Sequence, residues 1–420
     1  MGATITGNTT GMRPTTPGSL RRALIALMAL LAIAAGVRWL MSRPVVRFSL
    51  GRASALVAAP GVKSFVVRED GDLWRLYGAS ARQPDDGQLL PGPVLGLPAL
   101  QADGSVFVLT ADGLRWMHGS QPFVPGGEVL LVIAHDLLPA DCRLEGVVGG
   151  QLPLLSAPVS ASAGPTGPRK LLLCEGAPKT PELRNVFDAD SEAQLPAQVV
   201  PLLSRDSLAV AFQGERGWEA WSLETPHLAR RVVAEGCTKP GAVFTPDGRA
   251  LIVPGRVDGL WLLGLQDGRL NLMAEGNLGV SRRVEHRVGF RSQPPVMVAP
   301  GWGLDGWLQI FQTHLSGGGR TGFGNSFMHH YGVVLSTGGN LMTYAQASFA
   351  EASDTPFVED LYLFDFAQPG EAAVLLDSRE GGGSAQGPYF VGDSGSLVYI
   401  ARGEAMRAEL LPRSVREGSP

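Results

Sequence analysis

Residues 243–252 read VFTPDGRALI. An apolar pair, a polar turn and an apolar run make a β-hairpin, because Pro246, Asp247 and Gly248 have the φ preferences that a reversal between two strands requires. One copy would be unremarkable, so the reading depends on whether the pattern recurs.

It does recur. The stretch from Phe244 to Gly276 continues with a strand, a second turn at Asp258-Gly259, a strand around Trp261, a third turn at Asp267-Gly268 and a final strand. The preceding segment, LAVAFQGERGWEAWSLETPHLARRVVAEG, ends in the same AEG, and both Trp221 to Trp261 and Gly236 to Gly276 are 40 residues apart. That period is the length of one four-stranded blade of a β-propeller.

Related units lie on both sides. FVVREDGDLWRLYG (65–78) and VFVLTADGLRWMHG (106–119) each set Asp-Gly before an aromatic strand, with Trp74 and Trp116 42 residues apart. YGVVLSTGGNLMTYAQ (331–346) leads to EDLYLFDFAQPGEAAVLLD (359–377), and GPYFVGDSGSLVYIARG (387–403) begins another copy. Strand centres near Trp74, Trp116, Leu172, Trp221, Trp261, Trp307 and Tyr362 predict seven blades, with six or eight accommodated by a shifted boundary. The copy at 387–403 completes the ring by pairing with strands near the start, either VVRFSL (45–50) or SALVAA (54–59). Each blade alternates its side chains with period 2 and cannot cover its own apolar faces, so it needs a neighbour on each side. Radial closure supplies both and leaves short outer edges. The aromatic in GLWLLGL (259–265) is read as a core residue between blades.

Composition agrees with this all-β reading. Gly (55) and Pro (31) make up about a fifth of the 420 residues, against a usual share of roughly 12%. Charged residues are only 18% and apolar ones 45%, which favours many short strands and tight turns and argues against disorder. A net charge of −4 gives no electrostatic footprint for nucleic acid.

The N-terminus carries a different signal. From Ala23 to Val37 there is no charge, Arg21 and Arg22 precede, and the apolar run extends past Arg38 to Trp39, Leu40 and Met41. Three readings compete. A cleaved signal peptide is supported by the basic start and by Ala32, Ala34 and Ala35. An uncleaved signal anchor is supported by the continuation to Met41 and by snorkelling arginines. A buried core helix lacks the polar face that such helices show. The expected organisation is a polar tail (1–22), a transmembrane anchor or signal peptide (23–41) forming one N-terminal hydrophobic helix, the propeller (45–412) and a polar C-terminal tail (413–420). Three arginines on each side of the segment tie the positive-inside comparison. Export is the usual outcome for such a segment, which places the ring in the periplasm on a single-pass inner-membrane anchor, or secreted or periplasmic after cleavage. A lone myristoylation-like start at Gly2 and Thr6, and paired arginines without the fuller twin-arginine pattern, add nothing.

VFTPDGRALIV followed by GLWLLGL resembles the repeat of TolB-like, WD-like bacterial β-propellers, in which a Phe-Ser-Pro-Asp-Gly turn precedes an aliphatic-aromatic strand and a further turn. The clear match covers one blade and weaker matches about half the chain. LSTGGNLMTY (335–344) and FVGDSGSLVY (390–399) lack the Pro-Asp pair, 120–200 is irregular, and the Gly-His and Trp-Asp pairs of eukaryotic WD repeats are not found. The resemblance implies the fold and extracytoplasmic protein-interaction roles, and it brings no catalytic residue.

Two departures from the repeat are candidate functional loops. GGQLPLLSAPVSASAGPTGP (149–168) reads as an Ala/Ser/Pro/Gly-rich surface loop. HLSGGGRTGFGNSFMHHYG (314–332) reads as a partner-binding loop carrying His314, Arg320, Phe323, Asn325, His329 and His330. Its glycines lack the Lys-Ser/Thr of a phosphate loop. Adjacent His329 and His330 would point to opposite faces of a strand and not chelate together, so no metal and no cofactor is expected. GDSGS (392–396) has the letters of a protease nucleophile motif, but its Asp and Gly fit a hairpin turn. Cys142, Cys174 and Cys237 lack metal-ligand spacing and read as small buried hydrophobes, with a Cys142–Cys174 disulfide as the alternative. The expected function is therefore a membrane-anchored, extracytoplasmic interaction or scaffold module of the bacterial envelope, binding an envelope protein or polymer. The alternative is a propeller enzyme of lactonase, lyase or quinone-dependent type with its site at one axial mouth.

Overall fold

A computed structural model describes residues 45–410, apart from 60, 120–128, 161, 163–165, 188–193, 224–229, 240, 256–258, 276–288, 293–294, 303–307, 316–319, 324–328, 348–357, 368–372, 381–386 and 393–394. The segment 23–41 and both tails lie outside the described residues. Residues 45–411 form one compact unit.

The opening decapeptide folds as its residues dictate. Val243–Phe244 pairs antiparallel with Ala250–Pro254, Val243 opposite Ile252 and Phe244 opposite Leu251. Between them the Gly248 amide donates to the Thr245 carbonyl (2.8 Å), and the Arg249 amide donates to the Asp247 carboxylate (3.1 Å). Gly248 sits at φ +63°, in the left-handed region. The chain then adds Gly259–Gly264 and Leu270–Glu275, completing a four-stranded antiparallel sheet in sequential order.

Seven sheets are built this way, spanning 55–89, 99–134, 143–185, 202–235, 243–275, 289–323 and 329–380; we number them blades 1 to 7. Blade 8 is composite: Tyr389–Val391, Ser396–Ala401 and Glu404–Leu410 come from the C-terminal end, and the outer strand is Val45–Arg52. Val45 lies opposite Leu410 and Phe48 opposite Arg407, so VVRFSL is the closing strand, while Ala55–Ala58 opens blade 1.

The ring thus has eight blades, not the seven expected. The seven sequence centres all fall at third strands; Trp74, Trp116, Leu172, Trp221, Trp261 and Tyr362 lie within them, and Trp307 immediately precedes Leu308–His314. The eighth third strand, EAMRAEL (404–410), contains no aromatic and borrows its outer neighbour from the far end of the chain, so the landmark used for counting is missing there.

The core is distributed over the interfaces. Eight clusters of buried apolar side chains each join two neighbouring blades, including blade 8 to blade 1 through Leu50, Phe65, Tyr77, Val398 and Ile400. The strand alternation is visible in blade 5, where Leu251 and Val253 pack towards blade 4 and Ile252 towards blade 6. Trp261 packs in the blade 4–5 cluster, and Trp221 meets Phe187 edge-on at 4.5 Å in the blade 3–4 cluster, as expected of core aromatics. Among the described residues no helix is long and apolar enough to cross a membrane.

Candidate functional site

Sequential antiparallel strands give the ring two chemically different faces. Connections 1–2 and 3–4 of every blade emerge on one, called here the turn face. Connections 2–3, and the 4–1 links to the next blade, emerge on the other, the crossover face. Val45 begins an outer strand and Leu410 ends a third strand, so the chain enters and leaves the ring on the turn face.

The candidate loop 314–332 is corrected by this topology. His314 ends the third strand of blade 6 and is exposed, opposite Val296. Arg320 and Phe323 bound the fourth strand, opposite Thr313 and Ile310. His329 and His330 open blade 7, opposite Ala347 and Gln346, and Asn325 lies outside the described residues. His330 is buried, its ring 5.7 Å from that of Tyr344. The stretch is therefore a 3–4 turn, a strand and a 4–1 link, with His314 and Arg320 towards the turn face and Phe323 and His329 towards the crossover face. Its glycine and histidine content hid the strand because outer strands are edges and need little apolar alternation.

The other departure is corrected similarly. Leu152–Pro158 is the second strand of blade 3 and Arg169–Glu175 the third, leaving a connection only at 159–168. GDSGS is a hairpin corner: Val391 lies opposite Ser396 across it, with Asp393 and Ser394 outside the described residues. None of the three cysteines forms a disulfide. Burial pushes the Cys142 and Cys174 thiols up to about 11, so both are protonated near neutrality.

Sequence reading missed two buried arginines, each on a third strand. Arg169 donates from Nε to Ser156 Oγ (2.8 Å) and from Nη2 to the Asp141 carbonyl (2.7 Å), and Ser156 in turn donates to Glu145. Arg407 donates from Nη1 to the Ala81 carbonyl (3.1 Å), from Nη2 to Ser396 Oγ (3.1 Å), and pairs with Glu409. Phe48 lies between Arg82 and Arg407, each guanidinium 5.4 Å from the ring centroid. These contacts fasten the closing strand to blade 1.

Exposed apolar side chains are divided between edges and one face. Among the described residues, Leu89, Leu131, Leu272 and Leu375 lie on outer strands. The large exposed hydrophobics in connections are Leu73, Leu95, Leu97, Leu137, Val159 and Val200, and every one lies on the crossover face, over blades 1 to 4. Leu97, Leu137 and Val200 are 60, 71 and 74% exposed. The ring also holds a cavity of about 650 Å³ bordered by the first strands of blades 4 to 8.

No protein-family model matches the chain, and no curated protein matches it. The fold has solved counterparts. The WD40 domain of SCAP from fission yeast is 10% identical with a TM-score of 0.55, covering 88% of this chain and 99% of that one. The C-terminal WD40 domain of Sif2 is 10% identical with a TM-score of 0.51, covering 89% and 99%. A putative TolB from Agrobacterium tumefaciens is 13% identical over 76% of this chain and 91% of that one, with a TM-score of 0.35. At these identities the likeness to the two WD40 domains establishes the propeller, as the sequence led us to expect, and nothing of chemistry.

Proposed function

We infer that this protein is an interaction module that docks a protein partner on the crossover face of blades 1 to 4. The observation that carries this is the segregation of the exposed connecting hydrophobics onto that face, with none of them in a described connection of the turn face. Exposed apolar side chains rimmed by polar loops are what a partner desolvates. Phe323, which ends the outer strand of blade 6, and His329, which opens blade 7, stand at the same face and extend the proposal to those blades. His314 and Arg320 stand at the opposite end of blade 6 and are left out of it.

The ring is held outside the cytosol by residues 23–41 in the membrane, and the partner is a component of the bacterial envelope. Supporting this is the uncharged run from Ala23 to Val37, with Arg21 and Arg22 before it.

The test is affinity capture from detergent-solubilised membranes of the native host, comparing the wild type with a Leu97→Glu, Leu137→Glu, Val200→Glu variant. These positions are exposed, so the ring keeps its core. A partner held by the wild type, lost from the variant and crosslinked to blades 1 to 4 supports the reading. A partner retained equally by both, or none with either, overturns it. Deleting 314–330 would remove the outer strand of blade 6 and is not a usable test.

A further inference from the structure

The 650 Å³ cavity lies within the range of ~300–1,000 Å³ typical of small-molecule sites. Its walls come from first strands: Leu202 and Leu203 from blade 4, Val243 from blade 5, Phe290 from blade 6, Leu335 from blade 7 and Tyr389 from blade 8. Polar lining gathers at one end. Arg205 and Asp206 lie in the 1–2 turn of blade 4, Thr245 in that of blade 5, and Ser336 and Thr337 in that of blade 7. These turns all open on the turn face, and there the mouth is narrowed, since a Cβ on Gly61 of blade 1 would lie 3.5 Å from Thr337 Oγ1.

The space is therefore amphipathic along the axis. Asp206 is exposed, whereas Arg205 is partly buried, and burial holds its guanidinium below the usual arginine range with Asp206 opposing the shift. A guanidinium drawn out of water forms strong two-point hydrogen bonds with a carboxylate. Apolar side chains of the walls gain when alkyl groups cover them, beside first-strand edges that are hydrogen-bonded on one side only.

We propose that the axial cavity binds a single-chain alkyl carboxylate, with its chain against the leucine, valine and aromatic wall and its carboxylate at Arg205 on the turn face. The site is independent of the docking surface on the crossover face, so either stands without the other.

The test uses the full chain in phosphatidylcholine nanodiscs, titrated calorimetrically with decanoate, decanol and decyltrimethylammonium against protein-free nanodiscs. One decanoate per chain is expected, bound at least tenfold more tightly than the neutral or cationic amphiphile. Arg205→Gln abolishes that tenfold preference and leaves decanol binding unchanged. Val243→Trp, which adds bulk without charge at a wall residue that also packs in the blade 5–6 cluster, removes saturable binding of both decanoate and decanol. Thermal melts establish that each variant is folded. If Arg205→Gln does not fold, Val243→Trp and the head-group series still decide. Absence of saturable decanoate binding, equal affinity for the three head groups, or decanoate binding unchanged by Val243→Trp overturns the proposal.

Discussion

Gly248→Ala tests the packing logic of the ring at the residue on which the sequence reading turned. Gly248 has φ +63°, and a Cβ there would lie 2.3 Å from Ser207 Oγ and 2.6 Å from Ser207 Cβ in the neighbouring blade. Ser207 Oγ also donates to the Gly248 carbonyl at 3.0 Å. A left-handed alanine costs ~1–2 kcal/mol, and losing the interblade hydrogen bond adds ~1 kcal/mol. The expected total is about 2–3 kcal/mol. Gly71 supplies the control, because its φ is +77° but nothing lies within 4 Å of a Cβ there. Gly71→Ala should therefore cost only the backbone share. Urea unfolding followed by tryptophan fluorescence measures the difference, about 1 kcal/mol or a fivefold change in the unfolding constant. Gly248→Ala added to a Ser207→Gly background should cost about the backbone share alone, since the interblade hydrogen bond and the two nearest clashing atoms are already gone, leaving Ser204 Oγ at 2.9 Å. Equal costs for the two alanines, or no coupling with Ser207→Gly, would refute the reasoning.

Removing residues 1–52 strips the outer strand from blade 8 and takes away Leu50, which is 1% exposed; loss of that side chain alone costs ~1.5–3 kcal/mol. The shortened chain should melt lower and self-associate in gel filtration, whereas removing 1–41 should leave the ring's melting temperature unchanged. Arg407→Ala removes the hydrogen bonds to the Ala81 carbonyl and Ser396 Oγ and leaves the partly exposed Glu409 unpaired, and should cost ~1–3 kcal/mol in urea; Arg407→Met, which fills more of the buried space, should cost less. Cys142 and Cys174 have folded pKa values raised from 9.0 to about 11. Because the folded state favours the protonated thiol, this stabilisation is complete below pH 9 and is lost as pH rises towards 11. Thiol titration at pH 8 should accordingly be slow for the native protein and rapid in denaturant, and equal rates would contradict the burial.

The blades were legible where turn chemistry and an aromatic third strand coincide. Blade 5 was read strand for strand, because Pro246-Asp247-Gly248, Asp258-Gly259 and Asp267-Gly268 mark all three of its corners. Blade 3 was not, because its third strand, RKLLLCE (169–175), has no aromatic and its second, LPLLSAP (152–158), contains proline and serine that read as loop. Closure was legible in outline from the incomplete copy at 387–403, but a strand pairing across 359 residues, as Phe48 does with Arg407, leaves no local pattern. The candidate site fared worse. Loop-like composition marked 314–332, yet its described residues stand at opposite ends of strands, His314 and Arg320 at one and Phe323 and His329 at the other, a fact set by strand direction and invisible to composition. The axial cavity and the buried arginines depend on which first strands meet at the axis and which third strands face a loop, and neither follows from one sequence.

The division of labour between the faces has a physical cause. Alternation sends the side chains of each strand sideways to two neighbours, so the sheets have no free face left for recognition, and only connections and the axial edge remain available. On the turn face the 1–2 turns of blades 1 to 5 are committed to the ring. Ser64 Oγ donates to the Gly104 carbonyl (2.7 Å), the Ala102 amide to the Gly150 carbonyl (2.7 Å), the Gly149 amide to the Ser204 carbonyl (2.9 Å) and Ser207 Oγ to the Gly248 carbonyl (3.0 Å). A turn that must bond the next blade cannot lengthen or present a large side chain without breaking that bond. The 4–1 links need only reach the next blade, and those at 90–98, 135–142 and 186–201 do so with residues to spare. Leu95, Leu97, Leu137 and Val200 lie in these links. Their exposure is therefore free to answer to a partner, whereas the 1–2 turns answer to the ring.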